Sequence, residues 1–225
     1  MTIFYIITII FSVGGMIISG ILKSKFNRYS RIPISSGMSG AEIAHNMLSY
    51  YGINDVKIVM GKGLLTDHYN PVTKTVNLSP DVYSGRSIAS AAVAAHECGH
   101  AVQHAQKYPF LYFRSKIVPV VKIASIAQQY LLFIAFMTLK SMPQIMLITV
   151  IAFIITTLFS FLTLPVEFDA SNRALKWLKE TGIVAGKEYE GAKDALKWAA
   201  MTYVVAALSA LVMTLYLLTK FLNRD

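Results

Sequence analysis

The chain has 225 residues, 55% of them hydrophobic and 15% charged, where soluble domains average about 25% charged, and its mean hydropathy is +0.52. This composition excludes an ordinary soluble domain, and the single cysteine, Cys98, excludes an internal disulfide. The net charge of +9 comes with no RNA-binding motif and no basic helical stripe with interleaved aromatics, so nucleic acid is not an expected partner, whereas a lipid bilayer is.

The first predicted element is the apolar run TIFYIITIIFSVGGMIISGIL over 2–22, close to the roughly 20 residues a helix needs to cross a bilayer. Its basic residues, Lys23, Lys25, Arg28 and Arg31, follow it rather than precede it. That order is the reverse of a cleavable signal peptide and reads as a retained anchor. Next, SGAEIAHNMLSYYGI has the pattern of a short helix, with Ser39 and Glu42 spaced for a capping box and Gly52 placed to end it. VKIVMG (56–61) and KTVNLSP (74–80) read as two short strands around a turn at Asn70-Pro71.

A longer helix is predicted over 87–107, and it holds AAVAAHECGHAVQHA. Residues four apart on a helix share a face, about 6 Å apart along the axis, so His96 and His100 project together and can grip one zinc ion. Glu97 stands beside them, where it can take a proton from water at the metal. His104 continues the stripe, but an unbroken helix puts it about 12 Å from His96 along the axis. It is therefore expected beside the site or at the surface, not on the metal. Cys98 points about 160° away from both histidines and is expected to be a small buried group facing the body of the protein.

Three more apolar runs follow, over 117–139, 145–165 and 199–218. The first of them holds Lys122, Gln128 and Gln129, so a buried core helix competes there with a true span; Lys122 lies near one end and can snorkel. LPVEFDASNRAL (164–175) comes directly after the third span. Carboxylates beside apolar runs are functional suspects, which leaves Glu167 and Asp169 both open as a third metal ligand. If Pro165 begins or kinks a helix, Glu167 and Ser171 share a face and Asp169 lies roughly opposite.

Eleven Lys/Arg lie between the first and second spans and six between the third and fourth, against Lys140 alone in the short loop and Lys220 and Arg224 in the tail. Loops rich in Lys and Arg stay in the cytoplasm, so both long loops are expected there and both termini outside. The expected fold class is an integral membrane, mainly α protein, with about four transmembrane helices and a small cytoplasmic α+β zincin-like catalytic unit. Its parts are an N-terminal anchor (1–22), a catalytic region with the HExxH helix (23–116), a transmembrane hairpin (117–165), a cytoplasmic helical segment (166–198) and a C-terminal transmembrane helix with its tail (199–225).

HECGH followed by EFDAS resembles the gluzincin pattern of integral-membrane zinc proteases, and is similar to the HtpX-type heat-shock proteases and the zinc CAAX prenyl endopeptidases. More closely, the whole chain resembles the bacterial YugP-like family of neutral membrane zinc metallopeptidases. That likeness covers DHYNPVTKTVNLS (67–79), AAHECGHAVQH (94–104) and LPVEFDASNRAL, in the same order and with similar spans. The resemblance implies that the first Glu of an E-x-x-x-D pattern, which falls on Glu167, is the third zinc ligand. The Asp of that pattern orients a zinc histidine and falls on Ser171, a departure, because a hydroxyl accepts the imidazole N–H without a carboxylate's charge.

These readings point to a multi-pass zinc metalloendopeptidase of the bacterial inner (cytoplasmic) membrane. Zn2+ is its cofactor, and it is expected to cut membrane proteins or membrane-bound peptides at the cytoplasmic face. His68, Tyr69 and Arg173 are candidates for a second oxyanion donor, and KTVNLS for a strand edge that receives an extended peptide. An adaptor protein or a second copy of the chain is admitted as a further partner. A competing class is a non-proteolytic membrane scaffold or adaptor with a structural zinc site; Glu97 argues against it, because such a site has no use for a base and closes with a fourth protein ligand. A zinc hydrolase acting on a bond other than a peptide is the second competitor.

Overall fold

The computed structural model describes residues 2–223; Met1, Arg224 and Asp225 lie outside the described residues, and with them the Arg224 of the charge pattern. The elements run α1 (Thr2–Tyr29), α2 (Gly40–Tyr50), β1 (Lys57–Met60), β2 (His68–Asn70), β3 (Thr75–Leu78), α3 (Pro80–Tyr83), α4 (Ile88–Ala105), α5 (Pro109–Met137), α6 (Pro143–Glu180) and α7 (Lys187–Leu222). The chain is mainly helical, and α1, α5, α6 and α7 are each long and apolar enough to cross a membrane. At 1.5 Å per residue even the 28-residue α1 is about 42 Å long, beyond the roughly 30 Å of a bilayer core.

One compact unit comprises the N-terminal segment to Ile18, Tyr112–Leu164 and the segment from Thr202. Its helices pack around Ala135, Met146, Val150 and Leu217, with Phe4, Ile7 and Phe136 against them. Two sets of polar contacts inside it run between helices. Gln128 donates to Ala152 O at 2.9 Å and to Thr156 Oγ1 at 2.6 Å, and the hydroxyls of Thr157 and Thr214 are 2.7 Å apart. Gln128, with Lys122 and Gln129, makes the second apolar run ambiguous in sequence; its amide hydrogens are taken up on α6, as suits a polar side chain between membrane helices.

The other unit comprises Ser19–Leu111 and Pro165–Met201. Here α2 opens with the expected capping box: Glu42 N–H donates to Ser39 Oγ at 3.3 Å, and Ser39 N–H donates to Glu42 Oε2 at 2.6 Å. It stops at Gly52, whose φ of 68° is a left-handed turn that suits glycine. The sheet has the order β1-β3-β2, with β1 parallel and β2 antiparallel to β3. The sequence reading gave two strands around Asn70-Pro71; the structure makes 68–70 a third strand, and the turn after Asn70 joins it to β3. Asn70 Oδ1 builds that turn by accepting from Val72 N–H and Thr73 N–H at 2.9 and 3.2 Å. KTVNLS therefore forms the central strand, paired on both sides. The expectation that it offers an open edge is corrected: the edges are β1 and β2.

The helix α4 is N-capped by Ser87, whose Oγ accepts from Ser90 N–H at 3.2 Å. Its alanines are almost wholly buried, and small side chains let neighbouring helices come close. One tight approach is at Gly99: a Cβ built there would lie 2.6 Å from Ala170 O on α6. The helix α6 includes Pro165 without ending there, and its part from Pro165 on carries Glu167, Ala170 and Ser171 at this crossing. Gly99→Ala is expected to force the two helices apart at a cost of about 1–3 kcal/mol. A fall in melting temperature together with weakened metal binding would show it; an unchanged protein would mean that the crossing is not tight.

Candidate metal centre

The crossing of α4 and α6 brings together His96, His100 and Glu167, whose ligand atoms lie within 4.8 Å of one another. Glu167 Oε2 is 3.4 Å from His96 Nε2 and 3.6 Å from His100 Nε2. In a tetrahedral zinc site with bonds near 2.0–2.1 Å, ligand atoms are about 3.4 Å apart. The two carboxylate–imidazole spacings match that figure, and two imidazoles with a carboxylate are a donor set that suits zinc. The other nitrogens of the histidines are engaged elsewhere: His96 Nδ1 is 3.1 Å from Ser171 Oγ, and His100 Nδ1 is 3.0 Å from Gln103 Oε1. Such contacts fix ring orientation and leave Nε2 aimed at the centre.

Electrostatics follow from burial and charge. Burial opposes a charge on His100, yet the contact with Glu167 and the negative charges of Glu97 and Glu167 outweigh it and raise its pKa. Burial also pushes Glu167 up, and the two histidines overcome it and hold its carboxyl well below the usual carboxylate range. Without a metal the pocket thus favours a cation against a carboxylate, and a dication competes with the proton for the same place.

Glu97 is buried beside these groups, and its Oε2 accepts from Tyr69 N–H at 2.9 Å. Tyr69 lies on the edge strand β2, so this bond ties the sheet to α4. The Tyr69 hydroxyl is 2.8 Å from His104 Nδ1. Burial, with a smaller contribution from Asp55, pushes the Tyr69 phenol up to about 12, so it keeps its proton. His104 is thus engaged with Tyr69 and is not among the grouped ligands.

His68 neighbours Tyr69 on the strand, and successive side chains point to opposite faces. Its ring contacts Thr66 O at 2.8 Å and Asn77 Nδ2 at 3.3 Å, away from α4. Of the two residues considered as oxyanion donors on this strand, Tyr69 is the one joined to α4. Arg173, the third, directs Nε to Asp169 Oδ2 at 2.5 Å and Nη1 to Gln106 Oε1 at 2.6 Å. Asp169 accepts from Gln103 Nε2 at 2.8 Å and contributes no atom to the metal cluster. Cys98 is fully buried, with its thiol pushed up chiefly by burial and its Sγ 3.6 Å from Ala44 O; it is no thiolate ligand.

Gln103 escaped the sequence reading. It is three residues after His100, on the same side of α4, and that i, i+3 relation was the available signal. Asp67 and Ser79, the two ends of the DHYNPVTKTVNLS stretch, also meet: the Asp67 carboxylate accepts from Ser79 N–H at 2.7 Å and from Ser79 Oγ at 3.0 Å. This clasp holds the start of β2 beside the end of β3 and thereby places Tyr69.

The family model described as "Putative neutral zinc metallopeptidase" matches residues 3–222. A relative named "Putative membrane protease YugP", from Bacillus subtilis (strain 168), is 44% identical over 202 residues, which cover 90% of this chain and 89% of its own. No solved structure matches the chain.

Proposed function

The chain belongs to the neutral zinc metallopeptidase family, and from that premise we propose that it is a membrane-embedded endopeptidase that cuts membrane-associated proteins or peptides at the cytoplasmic face. The observation that carries this reading is a buried carboxylate, Glu97, held by Tyr69 N–H beside a three-ligand cluster. Three protein ligands suit a catalytic site with one open position, whereas structural zinc sites close with four. A scaffold with a structural metal has no use for Glu97.

In this reading His96, His100 and Glu167 hold zinc, which when bound supplies Lewis acidity that polarises an acyl oxygen and makes water more acidic. Glu97 removes a proton from the attacking water as its oxygen bonds to the scissile carbonyl carbon. As the carbon–nitrogen bond breaks, Glu97 returns that proton to the leaving amine. Ser171 and Gln103 keep the two imidazoles in place. An extended substrate lies alongside β2, the edge strand nearest α4. Tyr69, joined to α4 through Glu97 and His104, is the candidate side-chain donor for the developing oxyanion.

The setting supports membrane-associated substrates. Glu167 follows the apolar run of α6 directly, and the Lys/Arg-rich segments 23–116 and 166–198 favour the cytoplasmic side. The placement in a bacterial inner membrane, with both termini outside, rests on the same charge pattern. The test uses the purified full chain in proteoliposomes with a membrane-anchored peptide substrate. Cleavage is expected to stop with a zinc chelator and to return with added Zn2+. Cleavage indifferent to the chelator would overturn the proposal.

A further inference from the structure

Gln103 is uncharged and takes no part in proton transfer, yet its side chain is fully buried and makes three hydrogen bonds. Nε2 is 2.8 Å from Val166 O and 2.8 Å from Asp169 Oδ2. These use both amide hydrogens, and both partners are acceptors: a backbone carbonyl, and a carboxylate oxygen that also accepts from Arg173 Nε at 2.5 Å. Turning the amide over would set its oxygen against two acceptors, so only one orientation is allowed. Oε1 then faces His100 Nδ1 at 3.0 Å, and an amide oxygen can only accept. Nδ1 of His100 must therefore carry a proton, and Nε2, on the side of Glu167, is the nitrogen left to a metal.

We propose that Gln103 is a positioning residue that locks His100 in the Nδ1–H tautomer, and that Asp169, braced by Arg173, locks Gln103 in turn. The inference rests on the assignment of His100 as a metal ligand made above. In many metal sites a carboxylate contacts the ligating histidine directly. Here a neutral amide stands between them, so the carboxylate acts at one remove and His100 gains no adjacent negative charge from it. The same logic explains why Asp169 lies near the site without joining it: its task is the orientation of an amide. His96 is held differently, by the Ser171 hydroxyl, which can rotate and so fixes no tautomer by itself. The two histidines are therefore not equivalent, and the locked one is His100.

The test compares four variants of the full chain in detergent: Gln103→Met, Gln103→Glu, Asp169→Asn, and Gln103→Glu combined with Asp169→Asn. Three quantities are measured: zinc affinity by chelator competition, the visible absorption spectrum of the cobalt-substituted protein, and the melting temperature without metal. Gln103→Met fills the space without hydrogen bonds and is expected to bind zinc about 10–100-fold more weakly, with altered cobalt bands. Gln103→Glu sets acceptors against Asp169 and Val166 and is expected to be equally weak. Asp169→Asn alone still offers an oxygen to Gln103 and should stay within a few-fold of wild type. In the double variant the asparagine amide donates to the new carboxylate and removes one of its two clashes, that with Val166 O remaining, so affinity and spectrum should recover in part.

Wild-type affinity and spectrum in Gln103→Met would overturn the proposal. So would a double variant as weak as Gln103→Glu alone, and that comparison decides the matter if Gln103→Met does not fold. A wild-type protein that binds no zinc would instead overturn the metal-centre assignment itself.

Discussion

Glu97→Gln is expected to abolish peptide hydrolysis while leaving zinc bound at wild-type stoichiometry. A positioned general acid–base is worth about 10²–10⁴-fold in rate, and here one carboxylate serves both proton transfers, so a loss at or above the upper end is expected. The metal should stay because Glu97 is not among the clustered ligands. Glutamine is the informative replacement. Glu97 also accepts from Tyr69 N–H across the α4–β2 contact, and a glutamine oxygen preserves that bond. Alanine would leave the Tyr69 N–H without its acceptor, which costs about 1–3 kcal/mol where the group is buried, and would confound lost chemistry with a displaced strand. Paired measurements of bound zinc, melting temperature and cleavage separate the two. Glu97→Gln hydrolysing at the wild-type rate would remove Glu97 from the mechanism.

What the sequence made legible was local. The four-residue spacing of His96 and His100 puts them on one face of any α-helix, and the Ser39–Glu42 capping box is written within four residues; both appear as expected. The apolar runs marked the four long helices, though α6 and α7 extend for several turns beyond them, because helical propensity does not stop where hydrophobicity does. The strand β2 was missed because three residues, His-Tyr-Asn, are too few to show a period of two. With it was lost the means to choose between His68 and Tyr69, which point to opposite faces. Long-range relations were the least readable. Glu167 and Asp169 were equally open from composition alone; what separates them is a helix crossing made possible by Gly99, a residue that reads in the motif only as an unspecified position. Gln103 went unread although it stands three residues after His100, and its other partners, Val166 and Asp169, lie 63 and 66 residues further along.

Glu167→Gln is expected to cost the protein its zinc, and with it all hydrolysis. The amide keeps the volume but is a poor ligand. The loss in affinity should exceed the 10–100-fold typical of removing a partner that only orients a ligand. The variant also changes the metal-free protein in a pH-dependent way. Glu167 has a pKa depressed on folding from 4.5, so its contribution to stability is present above about pH 4.5 and disappears as pH falls through the lower folded value. His100 has a pKa raised on folding from 6.5, so its contribution is present below about pH 6.5 and disappears as pH rises through the higher folded value. Both hold fully only between those limits. The melting temperature of metal-free wild type should therefore exceed that of Glu167→Gln by most between about pH 4.5 and 6.5, with the gap closing on either side. With zinc bound to the wild type, the gap should instead widen toward neutral pH, because the metal needs His96 and His100 unprotonated. A difference that is flat with pH in the metal-free proteins would show that Glu167 and His100 are not paired, and an undiminished zinc content in Glu167→Gln would remove Glu167 from the metal site.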